Sequence, residues 1–202
     1  VDVSGDYDKI PVRQVNGLIT VTNEQVRLIH TRAVVLDQEI AAKGYIALNT
    51  GQPVFDLQVS SHHFDPQALG HFTTDGRIPL FGPLGFNLQV AGVPSSPVID
   101  GSITMPYGHF QNIQLKNLKT VFSYQADQVR FDSLEATVFE GQVKGSGALD
   151  ISTGKFSAQA TGRKVNGEGL AKLQGLENLR GSLSFDVIAS GQKDDTAQCV
   201  AF

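Results

Sequence analysis

A pattern that returns 103 residues later limits this chain more than any other feature. Gln25-Val26-Arg27-Leu28 comes back as Gln128-Val129-Arg130-Phe131. The same step carries Ala33 onto Ala136, Val35 onto Val138, Gly44 onto Gly147 and Thr50-Gly51 onto Thr153-Gly154. It also sets Ile40, Ala42, Ile46 and Leu48 on Val143, Gly145, Leu149 and Ile151. A gapless recurrence of this length implies two copies of one supersecondary unit, stacked so that each covers part of the other. A second block repeats at a step of 99, with Gly82-Pro83-Leu84-Gly85-Phe86 and Ala91-Gly92 answered by Gly181-Ser182-Leu183-Ser184-Phe185 and Ser190-Gly191. A fainter echo joins Gly17-Leu18-Ile19-Thr20 to Gly101-Ser102-Ile103-Thr104. Pro94 and Pro97 mark the clearest break, and no charged or low-complexity linker appears. The expected organisation is one continuous repetitive β domain over 1–202, with units at about 15–92 and 118–191 and a connecting strand block at 93–117.

Alternation with period two says what the unit is made of. In Gln142–Ile151, Val143, Gly145, Gly147, Leu149 and Ile151 fall on one side, against Gln142, Lys144, Ser146, Ala148 and Asp150. Leu84, Phe86, Leu88 and Val90 alternate with Gly85, Asn87 and Gln89. Leu183, Phe185, Val187 and Ala189 alternate with Ser184, Asp186 and Ile188, and Phe55, Leu57 and Val59 with Asp56, Gln58 and Ser60. Strands of this kind have one wet and one dry face. Helical signals are few. Asp65 is placed to cap a short turn with Pro66 at its first position, and Gly167–Leu173 matches it in the second unit.

Composition agrees with strands and tight turns: 21 Gly, no Trp and one Met. With 16 Lys and Arg against 20 Asp and Glu, and no basic tail, nucleic acid is disfavoured as a partner. Cys199 is the single cysteine, so no internal disulfide forms. No apolar run reaches the ~18–20 residues of a membrane-spanning helix. The chain starts in mid-pattern at Val1 and stops abruptly at Phe202, as expected of a piece of a longer protein whose targeting signals lie elsewhere.

Signals for catalysis are weak. His62 and His63, with Asp65 and His71 near them, raise a metal site, but adjacent strand residues point to opposite faces. Ser60-Ser61, Ser95-Ser96 and Cys199 sit in no nucleophile motif. Gly145-Ser146-Gly147 runs on into strand and not into a helix N-terminus, so it is no phosphate loop. Asp194-Asp195 read as a solvated stretch. The expectation is a protein that is not an enzyme, with no catalytic residues, metal or cofactor.

The run Leu134-Glu135-Ala136-Thr137-Val138-Phe139-Glu140-Gly141-Gln142-Val143-Lys144-Gly145-Ser146-Gly147-Ala148-Leu149-Asp150 resembles a repeat of the AsmA-like superfamily. In those repeats a strand ends in an aromatic and a glycine, and the next reads gly-x-gly-x-leu-asp. Gly169–Leu173 followed by Leu179-Arg180-Gly181-Ser182-Leu183 is similar to their spacing. Gly92–Gly101 and Met105-Pro106-Tyr107-Gly108-His109-Phe110 resemble the repeat region of TamB, a member of that superfamily. The similarity spans about Gly17 to Gly191. It implies an elongated, folded-over sheet (a β-taco, or open half-barrel) with an apolar interior. It further implies a periplasmic location, anchoring to the inner membrane of a diderm envelope by a segment absent here, and an outer-membrane barrel partner of the Omp85 type. The associated role is phospholipid movement between the two membranes.

Under that resemblance the groove candidates are Ile46, Leu48, Phe55, Leu57, Leu84, Phe86, Leu88, Val90, Val129, Phe131, Val143, Leu149, Ile151, Leu183, Phe185 and Val187, with phospholipid acyl chains as the ligand. Each is also what the core of a closed sandwich would contain. Ala42, Gly44, Gly145 and Gly147 are small residues on the dry face. They either leave room on a trough floor or mark a bend and a close approach of other groups. About a dozen strands at ~4.8 Å would extend ~55–60 Å. Two other functions compete: a module that binds client strands along its sheet edges during outer-membrane protein assembly, and a structural spacer with a sealed interior.

Overall fold

β-Branched and aromatic residues alternating with short polar ones favour antiparallel strands that are dry on one side only. The computed structural model is built almost wholly from them, and it describes residues 5–7, 10–48, 51–72, 78–173, 180–192 and 198–201. Thr50, Leu179, Asp194-Asp195 and the side chains of His71 and Cys199 lie outside the described residues. The fold is all-β: open antiparallel sheet, not closed into a barrel, with one short helix and one 3-10 turn.

The elements in chain order are β1 (Gly5–Tyr7), β2 (Ile10–Val21), β3 (Gln25–Val35), β4 (Gln38–Ala47), β5 (Val54–Phe64), the 3-10 turn (Pro66–Phe72), β6 (Leu80–Phe81), β7 (Leu84–Val93) and β8 (Ser96–Phe110). There follow β9 (Ile113–Gln125), β10 (Gln128–Val138), β11 (Gly141–Asp150), β12 (Lys155–Asn166), α1 (Gly167–Leu173), β13 (Ser182–Gln192) and β14 (Gln198–Ala201). They form two compact units, Val1–Ile78 with Pro83–Ser102, and Pro79–Gly82 with Ile103–Phe202. Within the first, β1, β2, β3, β4, β5 and β7 pair in that order, each antiparallel to the next. Within the second, β9 to β14 do the same and β6 pairs with β8.

The repeat in sequence is a repeat in structure. β3 and β4 recur as β10 and β11 with both ends of each strand displaced by the same 103 residues. The ladder is interrupted by a bulge between Leu28 and Thr31, and again between Phe131 and Leu134. Gln14 in β2 and Asn117 in β9, 103 apart, take positive φ of 52° and 53°. The hairpins turn on Leu36-Asp37 and Phe139-Glu140, both residues of each with positive φ, which is the two-residue turn whose twist suits antiparallel strands. The 3-10 turn and α1 occupy the same place after β5 and β12. Each is capped alike: Asp65 Oδ1 accepts from the Gln67 N–H at 2.9 Å, and Asn166 Oδ1 from the Glu168 N–H at 2.9 Å.

Candidate functional site: the half-covered apolar faces

Residues directly opposite in a ladder share a face, so the registers assign each side chain to one side of its sheet. In the second unit Val187 lies opposite Ala160, Ala160 opposite Gly145, and Gly145 opposite Leu134. One step along, Phe185, Gly162, Val143 and Ala136 make the next row. Phe131 and Phe122 continue the face, their rings 6.2 Å apart. In the first unit Val90, Leu57, Gly44 and Leu28 form one row, and Leu88, Val59, Ala42 and Thr31 another. Of the groove candidates, all but Leu48 and Ile151 fall on one of these two faces.

The opposite face is polar and laced across strands. Lys144 Nζ meets Glu135 Oε1 at 2.6 Å, Thr161 donates to Asp186 Oδ1 at 2.7 Å, and Gln159 Nε2 donates to Ser146 Oγ at 2.9 Å. The Lys144 hydrogen bond and charge hold the Glu135 carboxyl below its ordinary pKa. The Thr161 hydroxyl, and then the Arg163 charge, do the same to Asp186. A shallow hollow of about 480 Å³ lies here, with Glu135, Lys144, Gln159, Thr161 and Asp186 on its walls. Its counterpart in the first unit, about 330 Å³, is bordered by Arg27, His30, Lys43, Tyr45 and Asp56.

The glycines decide the form of the dry face. A Cβ on Gly145 would stand 2.8 Å from Gln159 O, and one on Gly147 2.8 Å from Ser157 O. On Gly44 it would run into the backbone of Asp56 and Leu57. In each case the obstacle is the neighbouring strand, leaning over the apolar side, so the sheet creases toward that side along β4/β5 and β11/β12. Of the two readings of these small residues, the close approach of another group is what the geometry at Gly44, Gly145 and Gly147 matches, since a Cβ at each would meet the next strand's backbone. The Phe185 ring likewise lies over Gly162.

Cover is uneven along each face. At the end carrying the 3-10 turn, Phe64 and Leu84 are buried, Phe64 meeting Phe86 edge-on at 5.4 Å. At the end carrying α1, Leu118, Ala136, Val165 and Ala171 are buried. Leu84 is therefore core and closed to a ligand. Away from those ends Ile46, Phe55, Leu57, Phe86, Leu88, Val90, Val129, Phe131, Val143, Leu183, Phe185 and Val187 are only half-buried, and Leu149 is 40% exposed. Leu48 and Ile151 lie one residue beyond β4 and β11, 44% and 56% exposed. Each is held by one further backbone bond, to Glu24 O and Asp127 O, and they belong to the rim and not to the wall.

The other candidates are dispersed. His62 and His63 are both exposed, and among the described residues no three His, Cys, Asp or Glu gather at a metal-binding distance. Ser61 is buried and donates to Glu39 O at 2.8 Å. Gly145-Ser146-Gly147 is mid-strand. Among the described residues no helix is long and apolar enough to cross a membrane.

Several wall residues were not legible by period two. Leu115, Leu118, Thr120, Phe122 and Leu134 all face the dry side, but the bulges in β9 and β10 shift the phase between them. Only the matching bulge in β3 could have signalled it. No protein-family model, curated protein or solved structure matches the chain.

Proposed function

We propose that this chain is a section of a periplasmic conduit that shields phospholipid acyl chains on their way between the inner and outer membranes of a diderm envelope. The observation that carries the reading is the pair of creased, half-covered apolar faces, each closed at its helical-turn end and backed by a polar face. A methylene exposed to water costs ~0.8 kcal/mol, so an acyl chain of about sixteen carbons faces on the order of 13 kcal/mol in the open. A continuous apolar wall lowers that barrier without a tight site, and weak, distributed contact lets the lipid move on. The resemblance to the AsmA-like superfamily points the same way and supplies the envelope setting. On this reading the chemistry needs no catalytic group, and the outer-membrane barrel partner of the resemblance would receive the far end.

Val129 and Leu149 lie opposite each other at the open end of β10 and β11. Uptake of a fluorescent phospholipid by the purified chain is expected to fall about tenfold or more in the Val129→Glu, Leu149→Glu double variant, because a chain would have to cover two carboxylates. Ile188→Glu, on the wet face and 55% exposed, is expected to bind as the parent does. Equal uptake by all three would refute the proposal.

A further inference from the structure

We infer that the hollow of about 330 Å³ on the polar face of the first unit binds a phosphate monoester, with Arg27 and Lys43 holding the anion. The registers place Arg27, Tyr45 and Asp56 in one row of that face, and Lys43, Gln58 and Gln89 in the next. Arg27, His30, Lys43 and Tyr45 are exposed. Among the described residues neither Arg27 nor Lys43 forms an ion pair. Asp56, the carboxylate on these walls, accepts instead from Gln89 Nε2. The hollow is on the wet face, so the inference does not rest on the acyl-chain reading.

The second unit shows the same hollow with its charges balanced from within. Arg130 pairs with Asp132 at 2.7 Å, Lys144 with Glu135 at 2.6 Å and Arg163 with Asp186 at 3.4 Å. In the first unit the ladders put Ile29, Arg32 and Asn87 where those three carboxylates stand, and Lys43 where Ser146 stands. Arg27 keeps the place of Arg130 and loses its acidic neighbour. The walls thus change sign, from Lys144 against Asp132, Glu135 and Asp186 to Arg27 and Lys43 against Asp56 alone. Cations held on adjacent strands without counter-ions repel each other, and an anion between them relieves this. The backbone differs as well. His30 sits in the β3 bulge at a φ of 49°, whereas Ser133, in the matching bulge of β10, has no positive φ. A bulge re-aims a side chain, and a strained residue facing a hollow points to function there. The Arg27 fork and the Lys43 point charge suit phosphate oxygens, and His30 and Tyr45 can add donors. Across the hollow, Asp56 and Gln58 offer acceptors, which suits hydroxyl groups on the carrier of the phosphate.

Two probes test this on the intact chain and separate a free ester from a lipid headgroup. Glycerol 3-phosphate is titrated by calorimetry at low ionic strength, and phosphatidylcholine vesicles with and without phosphatidic acid are tested by co-sedimentation. The expected result is binding of glycerol 3-phosphate, of the phosphatidic acid vesicles above the plain ones, or of both, which names the source of the phosphate. Arg27→Gln with Lys43→Gln is expected to weaken that binding about tenfold or more. Lys144→Gln with Arg163→Gln removes the same charge from the balanced hollow and is expected to bind like the parent. Circular dichroism checks that the fold remains in both. Val129→Glu with Leu149→Glu, on the dry face, is expected to keep its affinity for glycerol 3-phosphate or for the phosphatidic acid vesicles, so this inference and the acyl-chain reading fail separately. Binding of neither probe overturns the inference. So does undiminished binding in the Arg27, Lys43 variant, or an equal loss in the Lys144, Arg163 variant, which would reduce the effect to overall charge.

Discussion

Thr31 is buried at 5% exposure, and its hydroxyl has no hydrogen-bond partner. A buried, unsatisfied hydroxyl costs about 1–3 kcal/mol. Its repeat counterpart is Leu134 on the same dry face, so an apolar side chain suits the position. Thr31→Val is expected to raise stability by about 1 kcal/mol in urea denaturation; a loss would mean that the hydroxyl is satisfied after all. Gly145→Ala and Gly147→Ala drive a methyl into the β12 backbone and are expected to cost about 1–3 kcal/mol each. Gly51→Ala meets nothing within 4 Å and only strains a φ of 75°, at about 1 kcal/mol. Comparable losses at all three would refute the crease. That Gly145 and Gly147 are special is legible in their alternation. Why they are special is not, because the obstacle belongs to a strand reached only by the sheet's curvature.

The strands were legible as elements because the repeat and the period of two point to the same segments, although the alternation marked Gln142–Ile151 where β11 runs Gly141–Asp150. The hairpins between them were not. Positive φ at Leu36-Asp37, Ala126-Asp127 and Phe139-Glu140 is imposed by the ladders on either side, against the local preference of Leu, Phe and Ala, and no Asn-Gly marks it. Leu36→Asn with Asp37→Gly is therefore expected to stabilise by about 1–2 kcal/mol, read as a shift in the urea midpoint. The same pair at Phe139-Glu140 is expected to gain less, since the Phe139 ring packs on Gly169. The polar ladders have their own signature. Glu135, Asp150 and Asp186 all have lowered pKa values, from Lys144, from the hydroxyl and backbone bonds of Ser152 and Thr153, and from Thr161 and Arg163. A depressed carboxyl contributes stability that is present above its unfolded pKa and lost as pH falls through the lower folded one. Stability is expected to hold from neutral pH down to the ordinary carboxylate range and to decline only below it. The decline should be modest, because the pairs are exposed, and shallower in Asp186→Asn.

For the molecule as a whole, the sequence speaks clearly to an all-β fold and to which side of the regularly alternating strands is dry, but not across the bulges of β9 and β10. It does not reveal how far each dry face is covered. The same Leu, Phe and Val residues make a sealed core or a half-open wall, and the difference lies in whether a second layer packs on them. Leu84 and Val165 ended up closed and Leu149 exposed, with nothing local to tell them apart. The proposed conduit requires acyl chains to travel along the uncovered portions of the two faces. The most direct measurement places a photo-crosslinking residue at Leu149, on the dry face, and in parallel at Ile188, on the wet face and more exposed, in the envelope of a diderm cell. Mass spectrometry then reads the attached mass. Phospholipid adducts at Leu149 and none at Ile188 are the expected result; no lipid at Leu149, or equal labelling at both, would contradict it.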